Sequence, residues 1–502
     1  MSSGETVRRS AVFSGAVQVA GTVFTAILTL YLVRALGRAE FGRYSLVLAV
    51  GAVVLLPSDL GISTSAGRSL AEAYGDHARI RTVLSVAARL KVTLALGTGA
   101  LLALLAPLIA DAYGDHGLVT PLRIMGVAVA AHAVFAFVSA AYTALRQMGA
   151  VLRIVTLESF VEAGSAIALV AAGAGVGGAV AGRALGYGAG AVVGVASLAA
   201  RHGGLGPLAR EPFDRRLARR LALYAGAVAV VDIIWAILSQ VDVLIIGALL
   251  SATAVASFQA PSRLLSLATY PGLALSYALG PRLARGQDEN GMVSALATTA
   301  RSLLVIQAFA AAVVVVFAPQ IVAIALGHGY EHTSAEAVLR CLAPYVALSG
   351  LAPLLSNAID YVGGARRRIW IAAVTLGVNV ALNLVLLPLV GPAGAAVALD
   401  VGYGFFVVGH VLLAGSLLGV ELRPVAATAA RAVGAAAAMV ALGLAVAAVV
   451  PGAAGTALGG LAGVAVFAAV VASSADERSL LAAAARLPFA RGPAQGSAPA
   501  GR

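Results

Sequence analysis

The stretch LALYAGAVAVVDIIWAILSQVDVLIIGALLSATAVASFQAPSRLLSLATYPGLALSYALGPRLARG, Leu221–Gly286, decides how the rest of the chain is read. It holds two apolar spans joined by the short turn Ser251–Thr253. Asp232 and Asp242 lie inside the first span and Arg263 inside the second. A charge at membrane depth is costly and faces a protein-lined or water-filled interior. Arg263 stands about ten residues into its span, or about 15 Å at 1.5 Å per residue. That is near the middle of a hydrocarbon layer about 30 Å thick. The stretch also repeats the beginning of the chain, so the middle of the sequence is a restart.

Working outward, the 502 residues are 60% hydrophobic and only 11% charged, a balance that excludes a soluble domain. Apolar runs of about 20 residues recur along the chain, each long enough to span a bilayer as a helix. A transmembrane barrel would show short alternating segments instead. The 34 basic and 22 acidic residues leave +12. The positive charge falls in short loops, which points to topology and anionic-lipid contact and not to nucleic acid. All the basic residues but Lys91 are Arg. The lone Cys341 excludes an intrachain disulfide.

The reading is an all-α polytopic membrane protein with about fourteen spans: 11–33, 44–66, 86–110, 119–144, 151–172, 178–200, 221–250, 253–280, 302–326, 337–361, 368–388, 392–416, 427–450 and 456–473. The glycine-rich turn Gly173–Gly178 is the place where the count is most easily lost. With the N-terminus inside, the inner segments carry 27 basic residues and the outer ones four, Arg34, Arg38, Arg43 and Arg123. That alternation places both termini in the cytoplasm.

The repeat is explicit. Arg34–Ser45 precedes the similar Gly247–Phe258 by 213 residues, and Leu104–Gly114 precedes Val316–Gly327 by 212. Thr143–Ile154 precedes Asn357–Ile369 by 214, and Gly186–Gly188 precedes Gly402–Gly404 by 216. Four matches in the same order at nearly one offset define two six-helix halves. Six spans is an even number, so the copies share one orientation. The organisation expected is a first half at 1–200, a cytoplasmic Arg-rich linker at 201–220, a second half at 221–416, an extra helix pair at 417–473 and a disordered cytoplasmic tail at 474–502.

Polar groups within spans mark the pathway these helices enclose. They are Gln18, Glu158, Glu162, Asp232, Gln240, Asp242, Arg263, Asn379 and Asn383, with Arg183 as a second cation at depth. Glu158 and Glu162, and Asn379 and Asn383, are four apart and share a helix face. Gln18 and Asp232 occupy matching places in the two halves. Each has a plain structural reading as well: the asparagines as interhelical hydrogen bonds, the glutamates as partners of Arg183, Asp242 as a group facing lipid headgroups, Asp59 as a helix-end contact, and Arg263 as an ion-pair partner of Asp232 or Asp242. His328 and His332, four residues apart with Glu331 between them, imitate a metal motif, but no helix or further ligand is evident and no metal is expected. No nucleophile–base constellation can be assembled.

The residues Arg34, Leu36, Gly37, Phe41, Gly42, Tyr44, Asp59, Leu60 and Gly61, with Gln240, Asp242 and Gly247, resemble recurring runs of the polysaccharide-biosynthesis branch of the multidrug/oligosaccharidyl-lipid/polysaccharide exporter superfamily. The segment around Arg263 loosely resembles a functional stretch of lipid II flippases, without the acid those place before the arginine. The resemblance implies a flippase, not an enzyme. Its substrate would be an undecaprenyl-pyrophosphate-type lipid-linked oligosaccharide, carried across the bacterial cytoplasmic membrane by alternating access. It implies no cofactor beyond coupling to H+ or Na+. The partners expected are the lipid-linked sugar and membrane lipids, and the protein is expected to be a monomer. The alternatives are a multidrug cation exporter of the same superfamily and a membrane polysaccharide polymerase, whose chemistry needs longer outer loops than this chain has.

Overall fold

Helices account for every regular element among the described residues, which in this computed structural model are 21, 23–266, 289–362, 364–474 and 478. A chain in lipid must satisfy its backbone donors and acceptors internally, and the helix does so within one segment. Eleven runs among those residues are long and apolar enough to cross a membrane. Large apolar side chains stay exposed along them, including Leu104 at 78%, Trp370 at 76% and Val449 at 81%. Hydrocarbon solvates such surfaces and water does not. The chain is a multi-pass integral membrane protein.

The described residues form two compact units. The first comprises 1–260, 325–334 and 380–395, and the second comprises 261–324, 335–379 and 396–502. The first is built from α1 (residues 23–35), α2 (Gly37–Asp59), α3 (Ile62–Glu72), α4 (His77–Ala112), α5 (Val119–Ala144), α6 (Met148–Ala171), α7 (Gly175–Arg201), the short α8 (Leu205–Arg210), α9 (Arg215–Leu238) and α10 (Val241–Leu249). Its core joins Leu70, Val83, Leu84, Phe137, Val138, Tyr142, Val151 and Ile154. Along α7, Gly182, Gly186, Gly190 and Gly194 stand four residues apart and let backbones approach closely. A Cβ at Gly186 would lie 2.6 Å from Glu162 Cβ and 2.9 Å from the Glu158 carbonyl.

Helix α11 (Ala252–Leu265) crosses from one unit's residues to the other's. The second unit contains α12 (Glu289–Val316), α13 (Ser334–Cys341), α14 (Ala343–Leu348), α15 (Leu351–Tyr361), most of α16 (Ala365–Val390) and α17 (Pro392–Leu418), then α18 (Leu422–Val449) and α19 (Ala453–Ala472). The last two are the expected extra pair. They pack on each other through small residues, with the Gly443 carbonyl 2.4 Å from a Cβ built at Gly459, and on α12 through Val305, Ala308, Met439 and Phe467.

Four expected spans are not continuous. That expected at 302–326 breaks at Phe317. The span expected at 44–66 breaks at Leu60 (φ 44°) and Gly61 (φ 76°), both left-handed. That conformation costs an L side chain about 1 kcal/mol or more. The span expected at 221–250 breaks at Ser239–Gln240, and that expected at 337–361 at Leu342 and again at Ser349–Gly350. Each break frees backbone groups that need partners away from water. Asp59 accepts from the Ser63 N–H at 3.3 Å. Asp400 accepts from the Tyr345 N–H at 2.9 Å. The buried Gln307 accepts from the Gly350 N–H at 3.0 Å. Residues 267–288, with the end of the span expected at 253–280, lie outside the described residues.

Candidate substrate-pathway groups

The first unit holds two charged clusters within its spans. In one, Arg183 on α7 donates through Nη1 to Glu162 Oε1 at 2.9 Å and through Nη2 to the Tyr187 hydroxyl at 2.7 Å. Glu158, one turn before Glu162 on α6, is buried and accepts from the Ser159 hydroxyl at 2.9 Å. The His132 ring meets Tyr187 edge-on, with centroids 4.6 Å apart. In the other cluster Lys91, 1% exposed, is ion-paired with Asp59, which also accepts from the Ser63 hydroxyl at 2.6 Å.

A third site uses the break in the span that carries Asp242. Asp242 stands in the first turn of α10, where the unsatisfied N–H groups favour an anion. It is 6% exposed and accepts from Asn383 Nδ2 at 2.7 Å. It therefore does not face headgroups, and Asn383 is an interhelical partner. Asn379, one turn earlier on α16, is also fully buried. Gln240 caps the same break and reaches only the neighbouring Ser239 hydroxyl, at 3.2 Å. Arg263 is the twelfth residue of α11 and is partly buried. The backbone of Asp232 lies in α9, but its side chain, like all of Gln18, lies outside the described residues.

Sequence reasoning paired Glu162 with Arg183 correctly as an alternative. It placed Lys91 with the inner-loop charges, whereas Lys91 is the fifteenth residue of α4 and buried. The signal was available: the chain's single lysine stands at the head of the apolar run VTLALGTGALLALLAPLIA. His132, Tyr187, Gln307 and Asp400 were also missed. Asp400, Tyr345 and Tyr403 gather in the second unit, the two rings 4.9 Å apart. Nearby in sequence, Arg368 pairs with Asp360 and donates to His410 Nε2 at 3.0 Å. His328 pairs with Glu331 at 2.9 Å, and among the described residues no group of three or more His, Cys, Asp or Glu could hold a metal.

The second unit carries one feature of the opposite character. Between α12, α15, α17 and α18 lies a cavity of about 290 Å³ walled by Leu, Val and Ala alone, among them Leu304, Leu355, Val411, Leu412 and Val425. It suits a hydrocarbon chain and offers nothing to a charged group.

The family model for polysaccharide biosynthesis proteins matches residues 7–287, more than half the chain, and the MatE model matches residues 227–385. No curated protein matches the chain. Among solved structures it is similar to a lipid II flippase MurJ in an inward closed conformation, with TM-score 0.70 and 14% identity over 94% of this chain and 99% of that one. It is similar to an inward-facing multidrug resistance MATE transporter, with TM-score 0.61 and 16% identity over 81% and 95%. A transporter of the same superfamily from Pyrococcus furiosus gives TM-score 0.55 and 16% identity over 84% and 96%. With its all-helical, multi-pass fold, the chain belongs to the polysaccharide biosynthesis protein family.

Proposed function

We propose that this protein flips an undecaprenyl-pyrophosphate-type lipid-linked oligosaccharide across the bacterial cytoplasmic membrane by alternating access, supplying cell-surface polysaccharide synthesis. The observation that carries the reading is the polysaccharide-biosynthesis match over residues 7–287. The chemistry of the interior supports it. A glycan needs hydrogen-bonding groups such as Asp242, Asn383, Glu158 and Tyr187. A pyrophosphate needs a cation, best met by a planar guanidinium such as that of Arg263. A polyprenyl tail needs an apolar wall, which the cavity beside α18 supplies. Acids within the spans permit coupling to H+ or Na+, and a monomer suffices. The polar groups serve passage and not bond chemistry, so the protein acts as a transporter and not as an enzyme.

The matching MatE model favours a second reading, export of organic cations, for which Glu158, Glu162 and Asp242 would be the attractive groups. Proteoliposomes separate the two. A labelled polyprenyl-pyrophosphate oligosaccharide should change leaflets only when the protein is present, and fluorescent cations should not accumulate. Cation transport without flipping would overturn the proposal. Both termini are cytoplasmic in this account, so reporters at Gly203 and Arg366 should report inside and those at Gly175 and His328 outside. An external Gly203 would invert the orientation.

A further inference from the structure

Three helix ends of the first unit, the last turn of α3, the first turns of α4 and the first turns of α9, line an open polar pocket of about 300 Å³ whose charged side chains are exposed. Arg79, Arg216 and Arg220 line it, together with Glu72, Asp214 and Thr82. Both acids are already engaged. Glu72 pairs with Arg68 at 3.0 Å, and Asp214 accepts from the backbone N–H groups of Arg216 and Leu217 at 2.8 and 3.0 Å as the cap of α9. Among the described residues, none of the three guanidinium groups lining the cavity takes part in a hydrogen bond or ion pair. The cavity is built and not incidental. Arg89 ties the linker down by donating to the carbonyls of Ala209 and Glu211 at 2.7 and 2.6 Å, and Thr82 donates to Glu211 Oε1 at 3.1 Å.

We propose that this cavity binds the phosphate of an anionic phospholipid headgroup. Three guanidinium groups on two helices form a multidentate phosphate receptor. The cavity also sits where the apolar runs begin, since Arg220 is followed directly by the span starting at Leu221. That is headgroup depth. Basic groups just outside a span are drawn to an anionic leaflet. One wall is apolar, with Val83 and Leu217, as a glycerol and the start of its acyl chains require and a free phosphate ion does not. A bound lipid would join α4 to the linker end of α9 and hold the linker in place. This proposal rests on the membrane placement of the chain and not on the transported substrate.

Native mass spectrometry of the full chain in neutral detergent tests it, with titration of dioleoyl-phosphatidylglycerol against dioleoyl-phosphatidylcholine. The first phosphatidylglycerol should bind at least about tenfold more tightly than phosphatidylcholine. Arg79→Ala/Arg216→Ala/Arg220→Ala should erase that preference. Arg210→Ala/Arg215→Ala/Arg219→Ala, which removes equal charge from the same linker outside the cavity, should keep it. Equal loss in both triple variants would reduce the cavity to general surface charge and overturn the proposal. So would retention of the preference in the first variant, or displacement of the lipid by micromolar inorganic phosphate. Matched melting temperatures of the two variants guard against misfolding.

Discussion

In the first unit two ion pairs lie within the spans, Lys91 with Asp59 and Arg183 with Glu162. In the second unit, away from the Arg368–Asp360 pair, the broken span is held by the amide of Gln307, the hydroxyl of Ser349 and the single carboxyl of Asp400, and the cavity beside α18 has no polar lining side chain. Both units break helices at membrane depth and both satisfy the freed backbone. They differ in what the repair leaves behind. A charged pair leaves a group that can exchange its partner for a ligand, while an amide repair leaves a closed, neutral junction.

The comparison can be broken first at Lys91. Lys91→Met leaves Asp59 charged and without its cation. Removing one partner of a buried pair costs about 3 kcal/mol or more, with the low end expected because Asp59 is partly exposed. Thermal unfolding in detergent should show a large drop, and Lys91→Met/Asp59→Asn should recover most of it while keeping the Ser63 contact. A wild-type melting temperature for the single variant would remove the pair from the account. Next comes the close approach that lets α7 reach the glutamates. Gly186→Leu overpacks this contact and should cost about 1–3 kcal/mol. Gly188→Ala, where nothing lies within 4 Å, should be neutral or slightly stabilising.

The neutral repair in the second unit should matter less. Gln307→Leu leaves the Gly350 N–H buried without its acceptor and should cost about 1–2 kcal/mol. The smallest effect is a pH dependence at the edge of the first unit. Burial, and then the neighbouring His77, Arg201 and Arg81, hold the His202 imidazole below its ordinary pKa. Its folded value is depressed, so the stability it contributes is fully present above about pH 6.5 and is lost as pH falls below that. Subtracting the melting profile of His202→Gln from that of wild type should leave a slope of that sign. A flat difference would contradict it.

Much of this was legible in the sequence. Composition and run length gave the helical membrane class, and the glycine-marked turn before α7 gave that boundary to within three residues. Glu158 and Glu162 were found because four-residue spacing is a property of the helix itself. The helix breaks were not found. A hydropathy window averages across Leu60–Gly61, and whether a helix stops there depends on Asp59 finding Lys91, 32 residues away. The break at Gly350 likewise depends on Gln307, 43 residues away. Pairings at such separation leave no periodic trace. Asp242 was placed among the pathway groups with lipid headgroups as its plain alternative, and its bond to Asn383, 141 residues away, was not visible.

The central claim is that the transported molecule carries an anionic phosphate head into the protein, and Arg263 tests it most directly. Flipping of a labelled polyprenyl-pyrophosphate oligosaccharide should be measured in proteoliposomes at matched protein abundance. Arg263→Lys keeps the charge but loses the planar two-pronged donor and should flip slowly, and Arg263→Ala should not flip at all. Full activity of Arg263→Ala at normal abundance would contradict the account.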